Sequence, residues 1–142
     1  MTLPTFPLNT DGIDPAGKNI LIERVNITNY DDAVAVKPSN NERKYATCSE
    51  NIIVRDCNVY FGVGMTIGSV PARDYYNCVR NVQFLNIKMY HPFKGIYVKT
   101  NPGETSSMLP GSGGEITNIL YDGFEIHYPI WWSIYIGPQQ QN

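Results

Sequence analysis

Asp11, in Asn9-Thr10-Asp11-Gly12, and the adjacent pair Asp31-Asp32 are three carboxyls set within 22 residues that also hold Asp14 and Glu23. The segments around them are rich in β-branched residues and read as strand. Further on, Gly62-Val63-Gly64 runs into Met65-Thr66-Ile67-Gly68-Ser69, and Gly95-Ile96-Tyr97-Val98-Lys99-Thr100 follows. A strand gains nothing in packing from two neighbouring Asp residues, because an ionised carboxylate beside a core loses its hydration. Crowded carboxyls repel one another, and that repulsion raises the pKa of at least one. Such a set can hold a protonated acid and an ionised base together, the pair that cleavage of a glycosidic bond requires. The plainer reading is an Asp-Gly turn at Asp11 and a capped strand end at the Asp pair.

These residues need a frame, and the sequence repeats. Aligned on itself, the chain gives four copies of one pattern, beginning at Asn19-Ile20, Asn51-Ile52, Asn81-Val82 and Asn118-Ile119. The starts are separated by 32, 30 and 37 residues. A second short strand is expected at 25–28, 57–60, 87–90 and 124–127, and a third at 33–36, 65–67, 96–98 and 134–136. Periods of this length mark a solenoid, whose units bury their apolar faces only by stacking. Three β-branched strands per unit, without helical periodicity, predict an all-β, right-handed parallel β-helix of about four to five coils with three faces. The recurring Asn is expected at the bend before the first strand, bonding nearby backbone. Stretches 43–45, 71–76 and 100–115 read as insertions or an exposed loop.

In such a helix, residues one coil apart lie about 4.8 Å from each other. Asp11, Asp31-Asp32, Val63 and Tyr97 to Lys99 should then stack into one patch on a shallow lateral groove. Solenoid ends need caps. Neither end of residues 1–142 reads as one, so this single β-helix domain is expected to be a fragment, with further coils from the rest of the protein.

The order of motifs resembles glycoside hydrolase family 28, the polygalacturonases, whose signatures run NTDG, DD in a DDavavK context, GHG with IGS, and RIK. The first two stand at 9–12 and 31–37. Val63 replaces the family's His, and Tyr97 replaces its Arg, while Lys99 remains. The resemblance covers nearly the whole chain. It implies inverting hydrolysis of α-galacturonosyl or related pectic linkages, with no metal and no cofactor. Asp31 would be the general acid, with Asp11 and Asp32 holding and deprotonating the water. Lys99 would hold the carboxylate of a galacturonate unit, with Tyr97 and Asn9 as further substrate contacts. Trp132, one coil on and next to Trp131, would stack on a sugar ring, although a buried ring ladder is the commoner use. The family's place outside the cell or in the cell wall is implied as well. Loss of the His and the Arg also admits an alternative: a non-catalytic β-helix for carbohydrate binding or assembly that keeps relic carboxylates.

A net charge of −2 gives no electrostatic support for a nucleic-acid partner or an anionic membrane. No apolar run reaches the roughly 18 residues that span a bilayer. The N-terminus shows no basic-then-apolar leader pattern. Cys48, Cys57 and Cys78 are too few and too irregularly spaced for a metal site, and leave open one disulfide with a free thiol or three buried thiols. Asn26-Ile27-Thr28 matches a glycosylation acceptor. His91 and His127 read as structural.

Overall fold

The computed structural model describes residues 9–38, 48–71, 76–101 and 113–138. Their strands are β1 (Lys18–Glu23), β2 (Asn26–Asn29), β3 (Asp32–Val36), β4 (Ser49–Phe61), β5 (Gly64–Pro71), β6 (Tyr76–Tyr90), β7 (Lys94–Asn101), β8 (Gly113–His127) and β9 (Trp132–Pro138). One sheet runs β1-β4-β6-β8, with β2 also paired to β4, and the other runs β3-β5-β7-β9. Every pairing is parallel. Each strand thus lies beside its counterpart one repeat away, which makes the chain a parallel β-helix of four coils. Ile20, Ile52, Val82 and Ile119 form one column of register partners. Val34, Met65, Ile96 and Ile134 form another, in the second sheet. No helix in the described residues is long and apolar enough to cross a membrane.

The first two expected strands of a repeat are separate only in the first coil. In the later coils they join into β4, β6 and β8, which bend without breaking. The bends sit at single residues of positive φ: Asp56 at 55°, Asn86 at 53° and Gly123 at 68°, with Arg24 at 55° between β1 and β2. Asn, Asp and Gly accept this left-handed region most readily. One such residue turns the chain while the ladder carries on through the corner, as where the Asn58 N–H donates to the Val25 carbonyl at 3.0 Å.

The recurring Asn residues also sit at corners, with φ between 52° and 58°. Their side chains bond one another, which differs from the backbone partners expected. Asn51 Nδ2 donates to Asn19 Oδ1 at 3.1 Å, Asn81 to Asn51 at 3.3 Å, and Asn118 to Asn81 at 2.7 Å. Coil spacing brings like amides within reach, so the column satisfies itself.

The core is a stack of β-branched and aromatic side chains, including Ile52, Val54, Phe84, Val36 and Ile67, all fully buried. Phe84 and Tyr121 stack one coil apart with ring centroids 4.8 Å apart. A disulfide joins Cys48 to Cys78 across one coil, and Cys57 is a buried free thiol. On β9, Ile134 and Ile136 are 59% and 72% exposed, because no described strand pairs with its outer edge. Of the expected insertions, 43–45 lies outside the described residues, as do 72–75 and 102–112. Residues 100, 101 and 113–115, expected in a loop, belong to β7 and β8.

Candidate active site

The chain arrives at β3 through a corner that gathers two motifs. Residues 12–15 run beside β3: the Gly12 N–H donates to the Asp32 carbonyl at 2.9 Å, and the Ile13 N–H donates to the Ala33 carbonyl at 3.1 Å. A Cβ at Gly12 would lie 2.4 Å from the Ala33 carbonyl oxygen, so only glycine allows this approach. That contact sets Asp11 beside the Asp pair. Buried Asn29 pins the same corner. Its Nδ2 donates to the carbonyls of Thr10 at 3.0 Å, Asp31 at 2.8 Å and Asp32 at 2.8 Å. The next coil is tied in where the Val63 N–H donates to the Asp31 carbonyl at 2.7 Å.

The three carboxyls converge. One oxygen each from Asp11, Asp31 and Asp32 lie within 4.8 Å of one another. Asp31 is oriented by backbone: Oδ2 accepts from the Asn9 N–H at 2.7 Å, and Oδ1 accepts from the Asp32 N–H at 2.8 Å. Asn9 therefore serves the site through its backbone, as a clamp on Asp31. Asp11 keeps 23% of its side chain exposed and has Lys37 Nζ at 3.6 Å. Burial raises its pKa first, then the charges of Asp14 and Asp31, against the opposing pull of Lys37. Burial likewise raises the pKa of Asp32, opposed by the charge and hydrogen bond of Lys99 and by the hydroxyl of Thr66.

Asp32 and Lys99 differ from the exposed groove expected of them. Their side chains are 1% and 9% exposed, and the Lys99 ammonium is paired with Asp32 Oδ2. Thr66 Oγ1 donates to the other oxygen at 2.7 Å. Lys99 is thus paired with a carboxylate of its own chain, a contact beyond the substrate carboxylate expected for it. The coil spacing that makes the motifs converge brings this pair into contact.

Tyr97 packs on the same face. It is 3% exposed, and its ring acts as a platform for cations. Lys94 Nζ sits 3.9 Å from the ring centroid and Lys99 Nζ sits 5.3 Å from it. Gly64, at φ 154°, makes room for this packing, since a Cβ there would lie 3.1 Å from Tyr97 Cβ and 3.2 Å from the Lys94 carbonyl oxygen. Trp132 is 44% exposed and lies against Trp131 and Tyr135, with centroids 5.5 and 5.4 Å away. Val63 is partly buried one coil above Asp31. Sequence reasoning passed over Lys94 and Asn29. Asn29 stands two residues before the Asp pair, the only signal it offered.

A family model described as "Glycosyl hydrolases family 28" matches residues 4–131. The chain is 30% identical over 119 residues to "Probable endopolygalacturonase D" of Emericella nidulans, which covers 83% of this chain and 20% of that protein. It is also 30% identical to a "Polygalacturonase" of Fusarium fujikuroi, over 83% of this chain and 27% of the relative. To "Probable rhamnogalacturonase E" of Aspergillus flavus it is 29% identical over 117 residues, 82% of this chain and 21% of the relative. The chain therefore spans between a fifth and about a quarter of the length of these curated relatives. No solved structure matches it.

Proposed function

The chain belongs to glycosyl hydrolase family 28, and on that premise we propose that Asp11, Asp31 and Asp32 are the working groups of a pectin-degrading glycosidase. The observation that carries this reading is the approach of the three carboxyls to within 4.8 Å of one another. Asp31, held by two backbone N–H groups, gives its proton to the glycosidic oxygen as the bond to the anomeric carbon breaks. A water bridging Asp11 and Asp32 attacks that carbon from the opposite face and passes its proton to Asp11. Acceptors within 4.8 Å of one another are close enough for one water to reach both. Lys99 opposes the rise that burial imposes on the Asp32 pKa and holds the carboxylate in place. The product then carries the inverted configuration.

The substrate is an extended pectic polysaccharide, and the work is done outside the cell. The Cys48–Cys78 disulfide supports an oxidising compartment. Trp132 and Trp131 offer exposed rings for stacking on sugar. Further coils cover the open edge of β9, where Ile134 and Ile136 are exposed.

One observation favours a second reading. Val63 gives the site no hydrogen-bond donor from its side chain, which a carbohydrate-binding wall with relic carboxylates would not need. Reducing-end release from polygalacturonate, rhamnogalacturonan and neutral glycans separates the two. Turnover by the full-length protein that is lost in Asp31→Asn supports the hydrolase. Binding of a pectic glycan without turnover supports the wall.

A further inference from the structure

Lys94 is a cation that the reaction outlined above does not use. It is 97% removed from solvent, at 3% relative exposure, at the first position of β7. Its ammonium lies 3.9 Å from the centroid of Tyr97, 5.0 Å from that of Tyr135 and 5.8 Å from that of Trp131. Among the described residues no carboxylate lies within ion-pair distance of it, and none accepts a hydrogen bond from it. Aromatic faces stabilise an ammonium in part, but they leave its N–H donors without acceptors. The ammonium nitrogen is not among the described buried side-chain atoms that lack a partner, so its donors stay open to a ligand from the solvent side.

The surroundings say which partner. Lys99, the other cation on the Tyr97 ring, is already neutralised by Asp32. Among the described residues, Lys94 is the cation on this face with unused donors. The carboxylates of Asp32 and Asp31 are near enough to act on it electrostatically: burial lowers its pKa, Asp32 raises it, Lys99 lowers it and Asp31 raises it. In register, Lys94 stands beside Trp132, and its neighbour Phe93 donates to the Gly62 carbonyl at 2.8 Å, one coil above the Asp pair. Lys94 and Lys99 share the Tyr97 ring and Lys99 is paired with Asp32, so a sugar bound across the carboxyls would lie near the Lys94 ammonium.

We propose that Lys94, seated on the Tyr97 ring, is the specificity-determining residue that receives the carboxylate of a uronate unit adjoining the scissile bond. Tyr97 then acts through Lys94, holding the cation where the family's motif has an arginine. The inference rests on the pectic hydrolase reading above. It explains how a chain whose Lys99 is occupied can still select an acidic sugar.

The test compares oligogalacturonates with their fully methyl-esterified forms, using full-length wild type, Lys94→Met and Lys94→Arg. A lost charge-assisted hydrogen bond corresponds to about a 10- to 100-fold change, so Lys94→Met should lower kcat/KM on the acid by that factor, mainly through KM. On the ester the same variant should stay within about threefold of wild type, because no charged bond is lost there. Lys94→Arg should keep the preference for the acid, and this variant preserves the test if the methionine form does not fold. Equal losses on both substrates, or no loss on either, overturn the assignment of Lys94 alone. A wild type that cleaves neither substrate overturns the hydrolase reading, and the inference with it.

Discussion

Asp32 and Lys99 lie 67 residues apart in sequence and form a buried ion pair on the face of the β3-β5-β7-β9 sheet. Two coils of stacking bring them together, so the pair joins the folding of the solenoid to the chemistry of the site. Removing one member of a buried pair leaves the other charge stranded. Lys99→Met should therefore destabilise the protein by about 3–5 kcal/mol in urea unfolding, with part of that relieved when Asp32 takes up a proton. It should also lower kcat far more than it raises KM. A large KM effect with unchanged stability would instead return Lys99 to direct substrate binding.

The pKa of Asp11 provides a pH test whose direction is fixed. Its folded pKa is raised, by burial first and then by Asp14 and Asp31, with Lys37 opposing. A base works only when ionised, so kcat/KM should rise as pH climbs through that raised pKa. Asp14→Asn removes a charge that raises it and should move the acidic limb to lower pH. Lys37→Gln removes the opposing charge and should move the limb to higher pH. Stability follows linkage. A carboxyl with a raised folded pKa costs stability above that pKa and costs none below the unfolded value. Asp11→Asn should therefore stabilise the protein at neutral pH and lose this advantage in acid. Limbs that do not move, or that move together, would remove Asp11 from the role of base.

The Asn column can be tested by separating conformation from hydrogen bonding. Asn81 has φ 54° and bonds Asn51 and Asn118 through its side chain. Asn81→Gly loses the two bonds and keeps the backbone freedom, for a cost of about 1–2 kcal/mol. Asn81→Ala adds about 1–2 kcal/mol for the left-handed conformation. Denaturant unfolding should rank wild type above Gly and Gly above Ala. An Ala variant as stable as the Gly variant would mean that the corner relaxes.

Much of the frame was legible in the sequence because a solenoid writes its register as a period. The recurring Asn and the apolar positions after it gave the column from Ile20 to Ile119 directly. The same period brought Asp11, Asp31 and Asp32 to one place. The merger of the first two strands was not legible, because Asp56 and Asn86 read equally well as turn residues that end a strand. Lys94 was missed for a similar reason. A lysine before Gly95 reads as a solvated strand end, and only the placement of the Tyr97 ring shows its side chain to be packed in. The pairing of Lys99 with Asp32 was not legible either, since a sequence shows two charges without showing that they meet.

The most direct test of the carboxyl assignment is NMR of product anomers during early hydrolysis of oligogalacturonates by full-length wild type and Asp31→Asn. Retaining and inverting enzymes differ in the separation of their carboxyl groups, about 5–5.5 Å against about 6.5–9.5 Å, so for carboxyls that approach one another this closely the stereochemical outcome is informative. First-formed product of inverted configuration from wild type, with turnover in Asp31→Asn reduced to background, is the expected result. Net retention of configuration, or undiminished hydrolysis by Asp31→Asn, would contradict it.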